Sequence, residues 1–298
     1  MEAVVRAQAV ADSRRARGRV RRVVSYGIWY VPAIAIGLLF MGPFGWAIAS
    51  SLKGPTELFD YPPRLLPMVP RWQNYAVIWT FVPLLTFIEN SFIVGLLATV
   101  GQAISAAMVA YGFARFRFPG RDVLFLGVLA TLIVPEQVTM VPRFLLFKQI
   151  GWLDTFYPLW VPAWLGGGAF FIFLMRQFFL TIPQELEDAA EIDGASSLAT
   201  FTNIVLPLAL PALATVVIFS FLWNWNEFLQ PLIYLNKLEH FTLPLGLRFF
   251  VNESDSGGMP LQALLMAASL VDTIPPILLF FGLQRYFVRG IVMTGIKG

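Results

Sequence analysis

From Val23 to Leu52 the chain carries no charged residue. No other feature restricts its fold as strongly. A helix rises about 1.5 Å per residue and the hydrocarbon core of a bilayer needs about 20 mostly apolar residues, so this stretch is long enough to span. Five more stretches resemble it. Asn90–Ala114 and Thr155–Met175 are free of charge, and Val123–Val141 is interrupted only by Glu136. Gly194–Asn226 is also uncharged, with Pro207 and Pro211 placing the start of its membrane part near them, and Ser256–Gln284 contains Asp272 alone. The first stretch follows a basic run as a signal peptide would. It is too long for one and lacks a small-x-small cleavage site before Lys53, so it reads as a retained span.

Composition agrees. The chain is 57% hydrophobic and 13% charged, with a mean hydropathy of +0.70. Soluble domains hold about a quarter charged residues, so the expected class is an all-α integral membrane protein of six transmembrane helices. The basic balance does not indicate nucleic acid, because its arginines cluster at the N-terminus and beside apolar segments, where membrane orientation explains them. Lysines and arginines decide orientation. With the N-terminus inside, two thirds of the 21 basic residues fall on the inner side, including Arg14, Arg15, Arg115, Arg117, Arg121, Arg176 and Lys297. Both termini are therefore expected in the cytoplasm, as a multi-pass protein of the cytoplasmic (inner) membrane.

The expected layout is a basic tail over 1–22, a first span over 23–50 and an outer loop over 51–85 rich in proline and tryptophan. A core over 86–288 follows, with helices at about 86–112, 123–142, 156–176, 207–235 and 260–284, and a tail over 289–298 closes the chain. The loop over 181–206 is different in kind: inner, long and acidic. Pro183 suits a helix start, and Glu185, Glu187 and Asp188 suit the positive end of the helix dipole. Leu186, Ala189, Ala190 and Ile192 give a small apolar face, and Gly194 suits a left-handed stop. Ser196 or Ser197 can cap a second short helix bearing Phe201, Ile204 and Val205 and ended by Pro207. Helices that rest on lipid headgroups are usually basic on the polar face; this one is acidic, which favours docking to a protein partner.

The run Glu187-Asp-Ala-Ala-Glu-Ile-Asp-Gly-Ala195, then Phe201, Ile204, Leu206-Pro207 and Pro211, resembles the EAA loop of ABC importer permeases. Asp188 stands where that family usually has glutamate. Val134-Pro-Glu-Gln-Val138 with Pro142, Gly151-Trp-Leu-Asp-Thr155, Trp225-Asn-Glu-Phe228 with Pro231, and the ending Arg285-Tyr-Phe-Val-Arg-Gly290 through Gly295–Gly298 are similar to the smaller permease subunit of the maltose-type, carbohydrate-uptake branch. Ile291–Thr294 departs from its terminal pattern. The resemblance implies a type I ABC importer permease fold and a transport subunit moving a sugar or related polar solute by alternating access. It implies partners: a second homologous permease, two copies of an ABC ATPase that hold the ATP and Mg, an extracytoplasmic solute-binding protein, and membrane lipid. It also implies an ATPase-coupling set of Glu187, Asp188, Ala189, Ala190, Asp193, Gly194, Ala195, Phe201 and Pro207.

Ionisable residues inside spans are functional candidates, since their burial in lipid is unfavourable. Trp223, Asn226 and Glu227 share a helical face by spacing, and with Glu136 they make the expected substrate path, a tryptophan and carboxylates suiting sugar hydroxyls. Asn224 is expected to point elsewhere, toward a neighbouring helix. Glu136 and Asp272 read rather as structural, since one charge per span can pair or reach water. Ser91/Gly95, Gly101/Ser105 and Gly166-Gly-Gly168 permit close helix contacts, within the chain or with a second permease. His240, the only histidine, is expected to be solvated. With no cysteine, no H-E-x-x-H and no G-x-S-x-G, hydrolase and zinc readings find no residues. G-x-x-x-x-G-K-[ST] is absent too, so energy must come from a partner. An ion-coupled secondary transporter is the alternative; it would leave the acidic loop unexplained and usually shows an internal repeat.

Overall fold

The computed structural model describes residues 2–255 and 261–295, with side chains described over 26–251 and 261–284. The described residues form helices and no strand. In chain order these are α1 (Glu2–Ser51), α2 (Asn74–Phe81), α3 (Leu84–Arg115), α4 (Arg121–Ala130), α5 (Glu136–Gln149), α6 (Tyr157–Trp164) and α7 (Ala169–Phe179). Then come α8 (Glu185–Ile192), α9 (Ser197–Thr200), α10 (Leu206–Leu208), α11 (Leu210–Trp225), α12 (Leu229–Tyr234), α13 (Leu243–Asp255) and α14 (Gln262–Gly295).

Among the described residues, Tyr26–Ser51, Leu84–Arg115, Tyr157–Phe179 and Gln262–Gln284 are long and apolar enough to cross a membrane. A fifth candidate is a broken one, Ser197–Leu208 followed by Leu210–Trp225 at an angle of 79°. The expected helix over 123–142 is corrected. It is split at Thr131–Pro135 into α4 and α5, and a ten-residue α4 is about 15 Å long, half of what a bilayer core needs. Pro135 is extended at φ −59° and ψ 134°, so the helix restarts only after it. The expected helix over 156–176 is likewise interrupted before α7, where Gly167 and Gly168 take φ of +67° and +75°. The one over 207–235 stops at Trp225 and resumes as α12.

Helix α3 is the axis of the bundle. Its buried Ala103, Ala106, Ala107 and Ala110 form a small-residue face, against which Phe171, Met175 and Phe179 of α7 and Val216 of α11 pack. A second cluster joins Ile78, Phe87, Phe221, Trp225 and Phe250 at the expected outer end. The glycine contacts lie within this chain. A Cβ on Gly101 would overlap the Trp164 indole, one on Gly167 would overlap the Ala106 backbone, and Gly95 faces Phe221 at 3.5 Å. Trp164 donates its indole N–H to the Leu97 carbonyl at 3.0 Å, completing the α3–α6 contact.

Helix α1 packs on α14 along one side and turns the rest of its surface outward. Leu39 and Phe40 are 76% and 74% exposed, the surface expected of a helix that meets lipid rather than protein. The segment over 51–85 is more folded than an outer loop. Asn74 donates to the carbonyls of Ser51 and Lys53 at 2.7 and 3.0 Å, and the Ser51 hydroxyl meets the Tyr75 hydroxyl at 2.8 Å. Lys53 is buried, donating to the Arg64 carbonyl at 2.6 Å with its ammonium 4.2 Å from the Trp46 ring.

Candidate functional site

At the end of α3 that carries Arg115, α8 lies across the bundle. Glu185, Glu187 and Asp188 occupy its first turn, where the helix dipole favours negative charge. It begins at Glu185, two residues after Pro183. Gly194, at φ +84°, ends it in a Schellman motif: Ala195 N–H donates to the Ala190 carbonyl at 2.9 Å and Gly194 N–H to that of Glu191 at 3.0 Å. The Ser196 hydroxyl accepts from Ala199 N–H at 3.3 Å and so caps α9. Pro207 does not end this second element. A π-helical turn over Phe201–Val205 leads into α10, in whose first turn Pro207 needs no N–H, and the chain bends at Ala209 instead.

The coupling set divides by direction. Asp188, Ala189, Asp193, Gly194 and Pro207 are exposed, Ala195 is half-buried, and Ala190 and Phe201 are buried. Phe201 packs on the Tyr111 ring with centroids 4.8 Å apart and on Phe179 at 6.3 Å, anchoring the loop to the core. The small apolar face of α8 is turned mostly outward. Ala190 is buried, whereas Leu186, Ala189 and Ile192 are exposed, Ile192 by 87%. With Leu198 exposed by 65%, apolar side chains stand among carboxylates on an outward surface, a composition suited to docking. Glu187 turns inward, its Oε1 2.5 Å from Arg115 Nε and its Oε2 accepting from the Tyr111 hydroxyl at 2.9 Å.

The second site is a cleft of about 560 Å³. Trp223, Glu227 and Glu136 of the expected path line it, together with Gln102, Asn224 and Gln230. Asn226 does not. Its amide is spent on the Leu222 carbonyl at 2.7 Å, while Asn224, expected to face elsewhere, lines the cleft and donates to the Ser220 carbonyl at 2.7 Å. Asn226 lies one residue beyond the end of α11 at Trp225, where the 100° wheel no longer applies, whereas Asn224 is inside the helix and faces the cleft beside Trp223. Glu227 lies beyond the helix too, and its carboxylate accepts from Gln230 N–H at 3.0 Å. Glu136 accepts from Gln230 Nε2 at 2.6 Å and from Arg143 at 2.8 Å, so it ties α5 to the wall formed by α12. Gln102 accepts from the Ser220 hydroxyl at 2.7 Å and bridges α3 to α11. Trp223 packs its ring on Phe170 and Phe171, at 5.6 and 5.1 Å, and remains 53% exposed. A wall of amides, carboxylates and one open indole can hydrogen-bond hydroxyls and cover C–H surface.

His240 is not merely solvated. Its Nδ1 lies 3.1 Å from Asp154 Oδ1, which also accepts from the N–H groups of Asn236 and Lys237 at 3.0 Å each. Partial burial works against the charge on Asp154, but these donors and His240 outweigh it and hold its carboxyl down at about 2. One aspartate thus pins the loop after α5 to the loop after α12.

The inner membrane component of binding-protein-dependent transport systems is the family whose model matches residues 102–293. The chain is 34% identical over 262 residues to the sn-glycerol-3-phosphate transport system permease protein UgpE of Yersinia enterocolitica, covering 86% of this chain and 92% of that one. It is 33% identical over 270 residues to the osmoprotective compounds uptake permease protein GgtD of Synechocystis, covering 91% and 88%. Among solved structures, a bacterial ABC transporter involved in the import of the acidic polysaccharide alginate superposes with a TM-score of 0.73 at 24% identity, over 88% of this chain and 98% of that chain. That likeness shows the type I importer permease fold.

Proposed function

The chain belongs to the inner membrane components of binding-protein-dependent transport systems, a permease subunit of an ABC importer, and from that premise we propose that it moves a sugar or related polar solute inward by alternating access. Energy comes from two copies of a separate ATPase, which bind ATP and Mg; this chain, without a P-loop sequence, hydrolyses none. A second homologous permease completes the path, and an extracytoplasmic binding protein delivers solute to it. The protein lies in the cytoplasmic membrane with both termini inside.

One observation carries this reading. The acidic α8, stopped by the Gly194 turn, and α9 after it hold Asp188, Ile192 and Leu198 outward at one end of α3, and α3 itself lines the polar cleft with Gln102 and Val94. A conformational change requires a ligand that distinguishes two states, and an ATPase pair that opens and closes against this surface supplies one. The cleft's amides and carboxylates support a hydroxyl-rich cargo.

The test is uptake into proteoliposomes holding both permeases and the ATPase. Accumulation of a sugar or polyol should require enclosed ATP and the binding protein, and should survive an ionophore. Uptake that follows an ion gradient and ignores ATP would contradict it. Sidedness is read separately with an impermeant thiol reagent, since the chain lacks cysteine. Single cysteines at Asp60 and Asp154 should label from outside, and those at Arg117 and Glu191 should not.

A further inference from the structure

Glu187 belongs by sequence to the surface that meets the ATPase, yet its side chain is turned away from it. Arg115 and Glu187 are 9% and 11% exposed, and their charges meet at 2.5 Å between Nε and Oε1. The other carboxylate oxygen accepts from the Tyr111 hydroxyl at 2.9 Å. Arg115 uses a further N–H, on Nη2, to hold the Ile182 carbonyl at 2.8 Å, just before the loop enters α8. Tyr111 is itself buried among Phe179, Phe201 and Phe116. Nε and Oε1 meet through charge alone, neither having a hydrogen-bond partner, while Oε2 and Nη2 are hydrogen-bonded outside the pair, so each partner is braced from its far side.

The other carboxylates of α8 behave differently: Glu185, Asp188 and Glu191 are exposed. Apart from the pair, the buried residues of α8 and of the chain beyond it as far as Phe201, among the described residues, are Ala190, Thr200 and Phe201. Such packing permits sliding; an ion pair whose partners are each held by a further hydrogen bond, from Tyr111 and to Ile182, fixes distance and direction. The partner residues also lie on a helix with a second task. Arg115 and Tyr111 are in the last turns of α3, and Gln102, 13 residues before Arg115, lines the polar cleft. That separation is about 20 Å along a continuous helix.

We propose that Arg115, Glu187 and Tyr111 form an internal clamp that makes α8 and α3 move as one body, so that force received on the outer face of α8 reaches the cleft wall. This rests on the transport reading above. Glu187 is then a positioning residue that acts through Arg115, and Asp188, its exposed neighbour, meets the ATPase. The carboxylate is desolvated and faces a single guanidinium, so neither glutamine nor lysine can replace it without loosening the joint.

The test uses the complete complex in proteoliposomes and reads two quantities: ATPase retained on the membrane, and solute moved per ATP hydrolysed. Glu187→Gln should retain the ATPase as wild type does, while solute moved per ATP falls by about tenfold, the loss of one charge-assisted contact. Exchanging the charges, Arg115→Glu with Glu187→Arg, should restore part of that ratio. Asp188→Lys should show the opposite pattern and lose the ATPase. Should Glu187→Gln fail to accumulate, Tyr111→Phe removes one hydrogen bond and leaves the ion pair; its ratio should fall by about threefold or more. An unchanged ratio in the variant that folds, or release of the ATPase by Glu187→Gln, would overturn the clamp. If the wild-type complex shows no hydrolysis stimulated by the loaded binding protein, the transport reading itself fails, and that outcome is visible before any variant is compared.

Discussion

Trp225 donates its indole N–H to Asp272, 2.9 Å from Oδ1 and 3.1 Å from the carbonyl of the same residue, and so ties α11 to α14. Trp225 is fully buried, stacked on Phe221 at 5.4 Å. The charged residue in the sixth hydrophobic stretch therefore has a structural partner within the chain, and it does not reach the cleft. Asp272→Asn keeps an acceptor for the indole and should insert and transport close to wild type. Asp272→Leu leaves the buried N–H unpaired and should lower stability by about 1–3 kcal/mol. Thermal unfolding of the two variants in detergent checks this, and equal melting temperatures would remove the bond from the account.

The cleft predicts a reversal of what spacing alone implies. Asn224→Ala should reduce transport several-fold, because Asn224 lines the wall and braces Ser220, whereas Asn226→Ala should leave transport near wild type. Glu227→Gln preserves the acceptor for Gln230 N–H and should retain much of the transport; Glu227→Ala should lose it. Initial uptake rates on the four variants, normalised to protein in the membrane, decide it. If Asn226→Ala is the more damaging of the two asparagine changes, the cleft is not the solute path.

What could be read in the sequence was local. The acidic first turn of α8, the left-handed Gly194 and the Ser196 cap are signals carried within a few residues, and all three are present in the fold. Long apolar composition identified α1, α3 and α14 as spans. Hydropathy does not register a break inside an apolar run, so the interruptions at Thr131–Pro135 and before Ala169 passed unseen. Pro135 and the three consecutive glycines were their only signals. The place of Asn226 was missed by extending a regular helix one residue past its end, and that of Asn224 because the cleft is wide enough to reach two successive helical residues, Trp223 and Asn224. The resemblance places Glu187 in the coupling set, and nothing local marks its inward turn, because its partner, Arg115, lies in another helix. His240 was read as solvated for the same reason, its partner Asp154 being 86 positions away.

Asp154 makes the outer loops a pH-dependent joint. Its folded carboxyl is held at about 2, below the usual value of about 3.9 for a free aspartate. The stability it contributes is complete above that usual value and is lost as the pH falls through the folded one. Loop docking should therefore be constant from pH 7 to about pH 4 and loosen below. Asp154 also sits at φ +58°, which asparagine tolerates. Amide exchange at Asn236 and Lys237, compared between wild type and Asp154→Asn at the same pH, should differ at pH 5 and converge near pH 2. Equal protection at both would contradict it.

The central claim is that the outer face of α8 receives work done by a separate ATPase. ATP hydrolysis by the full complex, measured with and without loaded binding protein, tests it most directly when the same measurement is made on this chain alone and on the complex carrying Asp188→Lys. The account predicts no hydrolysis by the lone chain, stimulated hydrolysis by the wild-type complex, and loss of stimulation together with release of the ATPase in Asp188→Lys. Saturable hydrolysis by the lone chain, or full stimulation with Asp188→Lys in place, would contradict it.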